Sequence, residues 1–408
     1  MISRWMQKRV EEALRTRRGV HLTGARQTGK TTLAGVVDTG NMRRYTMDKA
    51  VFRDAARDDP QGFVARAPGE TLVIDEVQKV PALLDAVKMA VDQNGERGQY
   101  LLTGSANLRF ARKVKDTLAG RLGVVRLRGV TLGETRGNGP GFLQAAFARE
   151  FAEMGSGGNA LDKRGVIREG FLGGYPEPRE FGARARRDWY RGYLDDLATK
   201  DIQDVAEIRK VGELKAAALW VVAHSAQFFA MEELAAKAGV AKATAENYLE
   251  ALRGLYLADR VPAWTGSDYG WVGKRPKWVA ADAGLMANLL GWNEEEVYMD
   301  GARSGKFVET WVYQQLAALA EAEGGYSLWH YRDAKKREID WLVEREDGAL
   351  LGVEVKAGAA GAEDFRHLRW FGENAAKGPF TGVVLYGGQD VLRFGDGYYA
   401  VPLGALGA

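Results

Sequence analysis

From the N-terminus to about Leu132, short apolar segments alternate with segments typical of helices. The apolar segments are flanked by turn residues. This alternation predicts an α/β fold with a mostly parallel sheet, whose interior strands are hydrophobic on both faces. The expected strands, preceded by a basic helix at 4–18, are Gly19–Thr23, Leu72–Asp75, Tyr100–Gly104 and Val124–Arg128.

The pattern changes after residue 135. Glycine becomes frequent, which predicts a hinge or a mobile insertion, and a helical stretch follows. Next come two helices separated by a tight Gly-Val turn and followed by a strand, which predicts a winged helix. A second α/β pattern ends the chain, with a helix at about 306–323 and strands near 327–332, 338–344, 350–356 and 381–387. The expected domains are 1–135, 136–164, 165–221, 222–299 and 300–408.

Composition narrows the possible functions. The chain has 408 residues, 46% of them apolar and 27% charged, which is the balance of a globular protein. A net charge of +3 gives no overall basic field, so contacts with DNA would have to come from local patches. The lack of cysteine excludes disulfides, thiolate zinc sites and cysteine nucleophiles. With no signal-peptide core and no run of about 18 apolar residues, we expect a cytoplasmic protein without a membrane span.

The segment GARQTGKT carries the first recognisable chemistry. It fits G-x-x-x-x-G-K-[ST] in full and lies between a strand and a helix, the context that a phosphate-binding loop (P-loop) requires. Backbone N–H groups are expected to hold the phosphates of ATP, with Lys30 at the β- and γ-phosphates and Thr31 on Mg²⁺. The predicted nucleotide-binding residues are Gly24, Ala25, Arg26, Gln27, Thr28, Gly29, Lys30, Thr31 and Thr32.

A second motif supports the first. The strand LVIDE ends in two carboxylates, of which Asp75 is suited to hold the magnesium shell and Glu76 to polarise the attacking water. The alternative is a surface strand that happens to end in Asp-Glu, which the P-loop upstream disfavours. The two motifs together predict that the chain binds and hydrolyses ATP.

Three further side chains extend this prediction. Ser105 and Asn107 follow the strand YLLTG, where they could sense the γ-phosphate or form an ordinary polar turn. Arg121 lies between a helix and a strand, where it could be an arginine finger for the ATP of a neighbouring subunit or make a surface ion pair. The finger would imply a homo-oligomer, with a ring such as a hexamer as the expected form.

These segments resemble a known family. GARQTGKTTL, LVIDEVQK, LLTGSAN and LAGR follow one another at spacings similar to those of prokaryotic AAA-type ATPases whose C-terminal half is the domain of unknown function 4143. FLGGYPEP at 171–178, KDIQDVAEI at 200–208 and ADAGL at 281–285 resemble later segments of the same family. The family usually has an Arg-Asp pair where this chain has Lys200-Asp201, and lysine cannot make the bidentate contact of a second finger.

Carboxylates gather in the C-terminal part. Asp340 lies on one expected strand, Glu354 and Lys356 share a face of the next, and Glu309 lies on a helical stripe that should face the sheet. This order resembles the PD-(D/E)xK nuclease core, which implies Mg²⁺ or Mn²⁺ held by Glu309, Asp340 and Glu354, with Lys356 orienting water. The alternative is a pair of ordinary half-exposed strands in an inactive module.

The family resemblance implies a three-part α/β protein. Its expected parts are a P-loop AAA-type ATPase core with a parallel sheet, a helical and winged-helix region, and a C-terminal restriction-endonuclease-like domain. We expect it to act on DNA, with basic candidates in the second helix of the helix-turn-helix, in the Trp/Lys-rich stretch 269–278 and in the loop 332–338. The alternative function is a nucleotide-dependent switch that binds a protein partner, with the nuclease fold inactive.

Overall fold

The N-terminal part of the structure, a computed structural model, is a five-stranded sheet with helices on both faces. The structure describes residues 2–104, 120–151, 154, 161–202, 208, 210–267, 270 and 274–408. The elements of this part are α1 (Met6–Thr16), β1 (Gly19–Thr23), α2 (Lys30–Val36), β2 (Met42–Thr46), α3 (Ala50–Asp58), α4 (Pro60–Val64), β3 (Thr71–Asp75), α5 (Ala82–Gln93), β4 (Tyr100–Thr103) and β5 (Leu122–Arg126).

The five strands run parallel in the order β2-β3-β4-β1-β5. β1, β3 and β4 are buried along their whole length, which confirms the interior strands that the apolar segments predict. The prediction is wrong for β5, which lies at the edge of the sheet, pairs with β1 alone among the described strands and leaves Val124 41% exposed. The apolar pattern does not reveal β2, because this second edge strand is only half-buried.

The middle of the chain is mainly helical. Its elements are α6 (Leu132–Arg136), α7 (Phe142–Ala148), α8 (Lys163–Leu172), α9 (Ala183–Asp196), α10 (Val211–Ala223), α11 (Met231–Ala238), α12 (Lys242–Gly254), β6 (Ala258–Val261), β7 (Lys277–Ala280), α13 (Ala283–Leu289) and α14 (Glu294–Met299). α10, α11 and α12 pack together, and β6 and β7 form an antiparallel hairpin beside them. Three helices and a two-stranded wing are the arrangement of a winged helix.

Part of the segment expected as a hinge or insertion packs into a core. Phe142 and Leu143 on α7 and Phe151 are fully buried against the C-terminal sheet and its covering helix. Val166 and Ile167 on α8 belong to the same apolar cluster. The frequent glycines of this region led to the prediction of a hinge, although a few large apolar residues fix part of it in the core.

The C-terminal part is a mixed sheet between two helices. Its elements are α15 (Gly301–Glu323), β8 (Tyr326–Arg332), β9 (Glu338–Arg345), β10 (Leu350–Lys356), α16 (Arg366–Asn374), β11 (Phe380–Tyr386), β12 (Leu392–Gly395) and β13 (Tyr398–Pro402). The strand order is β12-β13-β11-β10-β9-β8, and β11 runs parallel to both of its neighbours. α15 covers one face and α16 the other. Among the described helices, none has the length and apolar character needed to cross a bilayer.

A buried ion network joins the three parts. Asp259 on β6 accepts hydrogen bonds from Arg126 at 2.9 Å, from Arg128 at 2.6 Å and from the Tyr313 hydroxyl of α15 at 2.9 Å. Arg128 also pairs with Glu321 of α15 at 2.9 Å. Burial alone would raise the pKa of Asp259, but the two arginines hold it well below its ordinary value. The carboxylate is therefore charged and compensated.

Replacing Asp259 with asparagine should destabilise the fold strongly. The substitution leaves Arg126 without a carboxylate and Arg128 with Glu321 alone, and breaking a buried ion pair typically costs about 3–5 kcal/mol. Urea unfolding followed by circular dichroism measures the change. Asp54→Asn is the matched control, because the Asp54–Arg57 pair spans 3.7 Å between largely exposed side chains and should contribute little. Equal unfolding curves for the two variants would contradict the structural role of Asp259.

Candidate nucleotide-binding site and C-terminal carboxylate cluster

The loop between β1 and α2 depends on two glycines. Gly24 has φ +146°, and a Cβ atom there would lie 2.2 Å from the Leu127 carbonyl oxygen, so a side chain cannot be accommodated. Gly29 has φ +94°, in the region that favours glycine. Gln27 also has a positive φ, of 62°, without being a glycine. The loop thus keeps a turn that brings its backbone close to the start of α2.

Lys30 lies inside this loop. Its ammonium group donates to the Gly24 carbonyl at 3.0 Å and to the Ala25 carbonyl at 2.7 Å. Burial lowers the pKa of Lys30 to about 8, although Glu76 and Asp75 act in the opposite direction. The side chain is therefore held at the loop by groups of the loop itself, and an anion beside it would favour its charged form.

Hydrogen bonds connect the start of α2 with the ends of β3 and β4. The Thr31 hydroxyl donates to the two carboxylate oxygens of Asp75 at 3.0 and 3.2 Å. The Thr103 hydroxyl donates to the same carboxylate and accepts a hydrogen bond from the Glu76 backbone N–H at 3.3 Å. A hydroxyl oxygen beside a carboxylate is a donor set that suits Mg²⁺. Thr31 and Asp75 therefore fit the ion that the P-loop implies.

Glu76 is placed by an unusual backbone conformation. Its φ of 57° is rare for a residue with a side chain and turns the chain sharply after β3. Burial raises the pKa of its carboxyl group, while Lys30 lowers it. The carboxylate accepts a hydrogen bond from the Gln78 side-chain amide at 2.5 Å. A carboxyl group with a raised pKa, held at the end of a strand, is suited to act as a general base.

These residues line a cleft of about 820 Å³. The structure brings together in its wall most of the predicted nucleotide-binding residues, namely Arg26, Gln27, Thr28, Gly29, Lys30, Thr31 and Thr32, and with them the predicted catalytic residue Glu76. Ile2, Val130 and Pro176 are apolar members of the same wall. The cleft is large enough for a nucleoside triphosphate, and charged side chains such as Glu177 and Glu180 line it beside these apolar groups.

Three side chains of this site were not among the predicted site residues. Arg4 donates to the Thr28 carbonyl at 2.7 Å and to the Arg128 carbonyl at 2.6 Å, and so supports the loop. Asp201 pairs with Arg26 at 3.2 Å, whereas its neighbour Lys200 pairs with Asp196 on the same helical turn. Thr103 is the third, and its position at the end of a strand next to β3 was the signal that could have identified it.

The segments FLGGYPEP and ADAGL meet beside the cleft at one buried carboxylate. Asp282 accepts hydrogen bonds from the Gly174 N–H at 2.6 Å and the Leu285 N–H at 2.7 Å. The Tyr190 hydroxyl donates to it at 3.3 Å. A Cβ atom at Gly173 would lie 2.2 Å from that hydroxyl, so this approach requires glycine. Asp282 therefore fixes the turn that places Pro176 in the cleft wall.

Two predicted features lie partly or wholly outside this site. Ser105 and Asn107 fall outside the described residues. Arg121 donates to Asp92 of the same chain at 2.7 Å, as the surface ion pair would. The role of Arg121 as a finger for a neighbouring subunit stays a prediction.

The C-terminal carboxylates surround a lysine. The Lys277 ammonium, which comes from the wing strand β7, lies 3.0 Å from Glu309 and 3.0 Å from Glu338. Asp340 accepts the Val355 N–H at 2.9 Å, and Glu354 is 9% exposed. Burial raises the pKa of Glu309 to about 8, with Lys277 opposing, and it also raises the pKa values of Asp340 and Glu354.

The predicted metal ligands do not fit a metal site as they are arranged. Within the described residues, no group of three or more His, Asp or Glu side chains is positioned to hold an ion. Glu309 is instead bound to an ammonium group, and Lys356 turns to Asp364 at 3.4 Å rather than into the cluster. The structure brings together the three predicted carboxylates, Glu309, Asp340 and Glu354. It also places among them Lys277, which comes from the wing strand β7.

Comparison with known protein families identifies both ends of the chain. Residues 16–136 match an AAA domain, residues 166–296 match the domain of unknown function 8612, and residues 304–406 match the domain of unknown function 4143. The chain joins an AAA-type ATPase domain to a C-terminal domain of unknown function 4143. The P-loop, Asp75 and Glu76 lie in the AAA domain, and the carboxylates Asp340 and Glu354 lie in the C-terminal one.

Relatives extend over most of the chain. Uncharacterized proteins of Mycobacterium tuberculosis and Mycobacterium bovis are each 29% identical over 369 residues, which is 87% of this chain and 75% of theirs. Among solved structures, the RuvB Holliday junction branch migration motor of Thermotoga maritima is 18% identical and covers 64% of this chain and 90% of its own, with a TM-score of 0.26. PCH-2 of C. elegans is 14% identical and covers 61% of this chain and 65% of its own, with a TM-score of 0.22. TM-scores this low carry no argument about function.

Removing the Thr103 hydroxyl should weaken the binding of magnesium nucleotide. Thr103→Val deletes the hydrogen bond to Asp75 while keeping the shape of the side chain, and loss of such a support typically costs about 10–100-fold in affinity. Titration with a fluorescent ADP analogue, with and without Mg²⁺, measures the effect. Thr103→Ser should restore binding. If valine reduced affinity equally in the absence of Mg²⁺, the hydroxyl would not act through Asp75.

Proposed function

We propose that this chain hydrolyses ATP in the cleft around the P-loop. The observation that carries the proposal is the hydrogen-bonded chain from Thr31 through Asp75 and Thr103 to the backbone of Glu76. It ties the phosphate-binding loop to the general base across two strands. A fixed relation between these groups is what phosphoryl transfer requires, because most of its catalysis is positioning and charge stabilisation.

Each side chain then has a definite task. The backbone N–H groups of the loop bind the phosphates, and Lys30 exchanges its carbonyl partners for oxygens of the β- and γ-phosphates. Thr31 and Asp75 hold Mg²⁺, which offsets the negative charge of the phosphates. Glu76 orients the attacking water and accepts its proton.

Contacts with the helical part would transmit the nucleotide state. The Thr23 hydroxyl at the base of the loop is hydrogen-bonded to the Tyr256 hydroxyl at the end of α12. Arg26 pairs with Asp201, and the Tyr193 hydroxyl donates to the Arg26 carbonyl at 3.2 Å. A change in the loop on hydrolysis therefore reaches both the winged helix and α9. We infer a movement of these parts as the output of the ATPase.

DNA is the partner we propose for that movement. In the loop between β8 and β9, Lys335 and Lys336 are exposed, while Arg337 is held by Asp333 and by the Trp370 ring. Two exposed lysines beside the C-terminal carboxylates can bind phosphates of a DNA backbone. Cleavage is not part of this proposal, because Lys277 compensates the carboxylates there. A homo-oligomeric ring, with Arg121 acting between subunits, remains compatible with the proposal.

A second candidate function is a nucleotide-dependent switch that binds a protein. The observation that favours it is the exposed face of α12, the helix that would enter a DNA groove. This face carries Glu246 beside Asn247, and Lys242 is paired with Glu232 at 2.8 Å. The Tyr248 side chain is buried. Such a face suits contact with a protein better than contact with phosphates.

Two substitutions test the ATPase. Lys30→Ala should abolish both nucleotide binding and turnover. Glu76→Gln should keep binding but lower the rate by about 10²–10⁴-fold, the usual contribution of a general base. Phosphate release and titration with a fluorescent ADP analogue measure the two quantities. Lys8→Ala, an exposed lysine on α1, serves as the control. Full turnover by Glu76→Gln would reject Glu76 as the base.

Replacing Lys335 and Lys336 with alanine should weaken DNA binding. Each phosphate that is no longer neutralised reduces the slope of log affinity against log salt by about 0.9, so the double variant should lower it by roughly 2. Fluorescence anisotropy on single-stranded, duplex, forked and four-way DNA gives the slopes. Lys8→Ala/Lys49→Ala removes two exposed lysines elsewhere and should leave them unchanged. If no DNA binds at low salt or alters ATP turnover, the protein-binding switch replaces the DNA proposal.

A further inference from the structure

Lys277 of the wing strand β7 contacts carboxylates of the C-terminal domain. Lys277, the first residue of β7, is 0% exposed. Its ammonium group lies 3.0 Å from Glu309 on α15 and 3.0 Å from Glu338 on β9. The nitrogen also lies 4.9 Å from the centre of the Trp341 ring and 5.5 Å from that of Phe228. A lysine this deeply buried requires such anionic partners.

One carboxylate of the cluster differs from the others in its surroundings. Glu354 is 9% exposed, and within the described residues it makes no hydrogen bond and no ion pair. Burial raises its pKa well above the ordinary value, and the neighbouring charge of Asp340 adds to the shift. Lys356 on the same strand is engaged with Asp364 instead, at 3.4 Å. The cluster thus contains a buried acid that neither lysine binds directly.

We propose that Lys277 takes the place of a divalent cation in the C-terminal carboxylate cluster, and that removing its ammonium group turns the cluster into a cation site built on Asp340 and Glu354. The ammonium supplies the positive charge that this group of carboxylates needs, through a hydrogen bond to Glu309 and an ion pair with Glu338, each at 3.0 Å. A cation such as Mn²⁺ would need oxygen ligands much closer, at about 2.1 Å, and would be repelled by the lysine.

This inference goes beyond the ATPase and does not depend on it. It assigns the cluster the task of holding the wing strand to the C-terminal domain. In the resting arrangement the domain therefore does not bind a catalytic metal ion, although the carboxylates for one are present.

Mn²⁺ titration of the 408-residue chain without nucleotide, followed by electron paramagnetic resonance, tests the inference. Lys277→Met keeps an unbranched side chain of similar length but removes the charge. It should bind Mn²⁺ about 100-fold more tightly than the wild type, the order expected for loss of one nearby positive charge. Lys277→Met/Asp340→Asn should lose that gain. Lys306→Met, which removes another half-buried lysine of α15, should behave like the wild type.

Three results would overturn the inference. Equal Mn²⁺ binding by the wild type and Lys277→Met would show that the lysine does not occupy the place of the cation. Binding that survives Asp340→Asn would place the ion elsewhere. The third result needs no lysine variant, and it stands even if Lys277→Met does not fold. It is tight Mn²⁺ binding, or Mn²⁺-dependent DNA cleavage, by the wild type that Asp340→Asn abolishes.

Discussion

The contact of Asp259 with Arg126 and Arg128 holds the three parts of this protein together. The two arginines lie at and just after the end of β5, the edge strand of the ATPase sheet, and the aspartate lies on the wing strand β6. The Tyr313 hydroxyl of α15 donates to the same carboxylate. Tyr256, three residues before the aspartate, binds Thr23 at the base of the P-loop. The network therefore fixes not only the packing of the domains but also the point from which the phosphate-binding loop starts.

The sequence predicts those parts of the site whose residues lie within one short motif. Lys30 and Thr31 follow from the P-loop pattern, and Asp75 and Glu76 from the end of one apolar strand, because spacing along the chain sets their geometry. Thr103 could have been predicted in the same way, from its position at the end of an apolar strand. Arg4 and Lys277 could not, because each contacts residues that are far away in the sequence and are brought near only by the packing of distant elements. The edge strand β2 was missed because a half-buried strand has a weak apolar pattern, whereas β5 was taken for an interior strand because its segment contains several apolar residues.

The chain contains two buried lysines, Lys30 and Lys277, and their charges are compensated in different ways. At the P-loop, a buried lysine rests on backbone carbonyls, which are weak partners that phosphate oxygens can displace. At the C-terminal cluster, a buried lysine rests on carboxylates, which are strong partners that hold it in place. The first arrangement favours exchange of ligands, and the second favours a permanent contact between elements.

The burial of α7 and of Lys277 has a practical consequence for anyone who wishes to study the parts separately. A fragment cut near residue 300 would carry Glu309, Glu338 and Asp340 without the ammonium that neutralises them, and it would uncover the surface on which Phe142 and Phe151 pack. A fragment of the remaining chain would expose Lys277 and the apolar side chains of α7 that pack against the C-terminal domain. A division near residue 300 therefore separates opposite charges and apolar surfaces that meet in the undivided chain, and neither fragment would keep the environment that its residues have here.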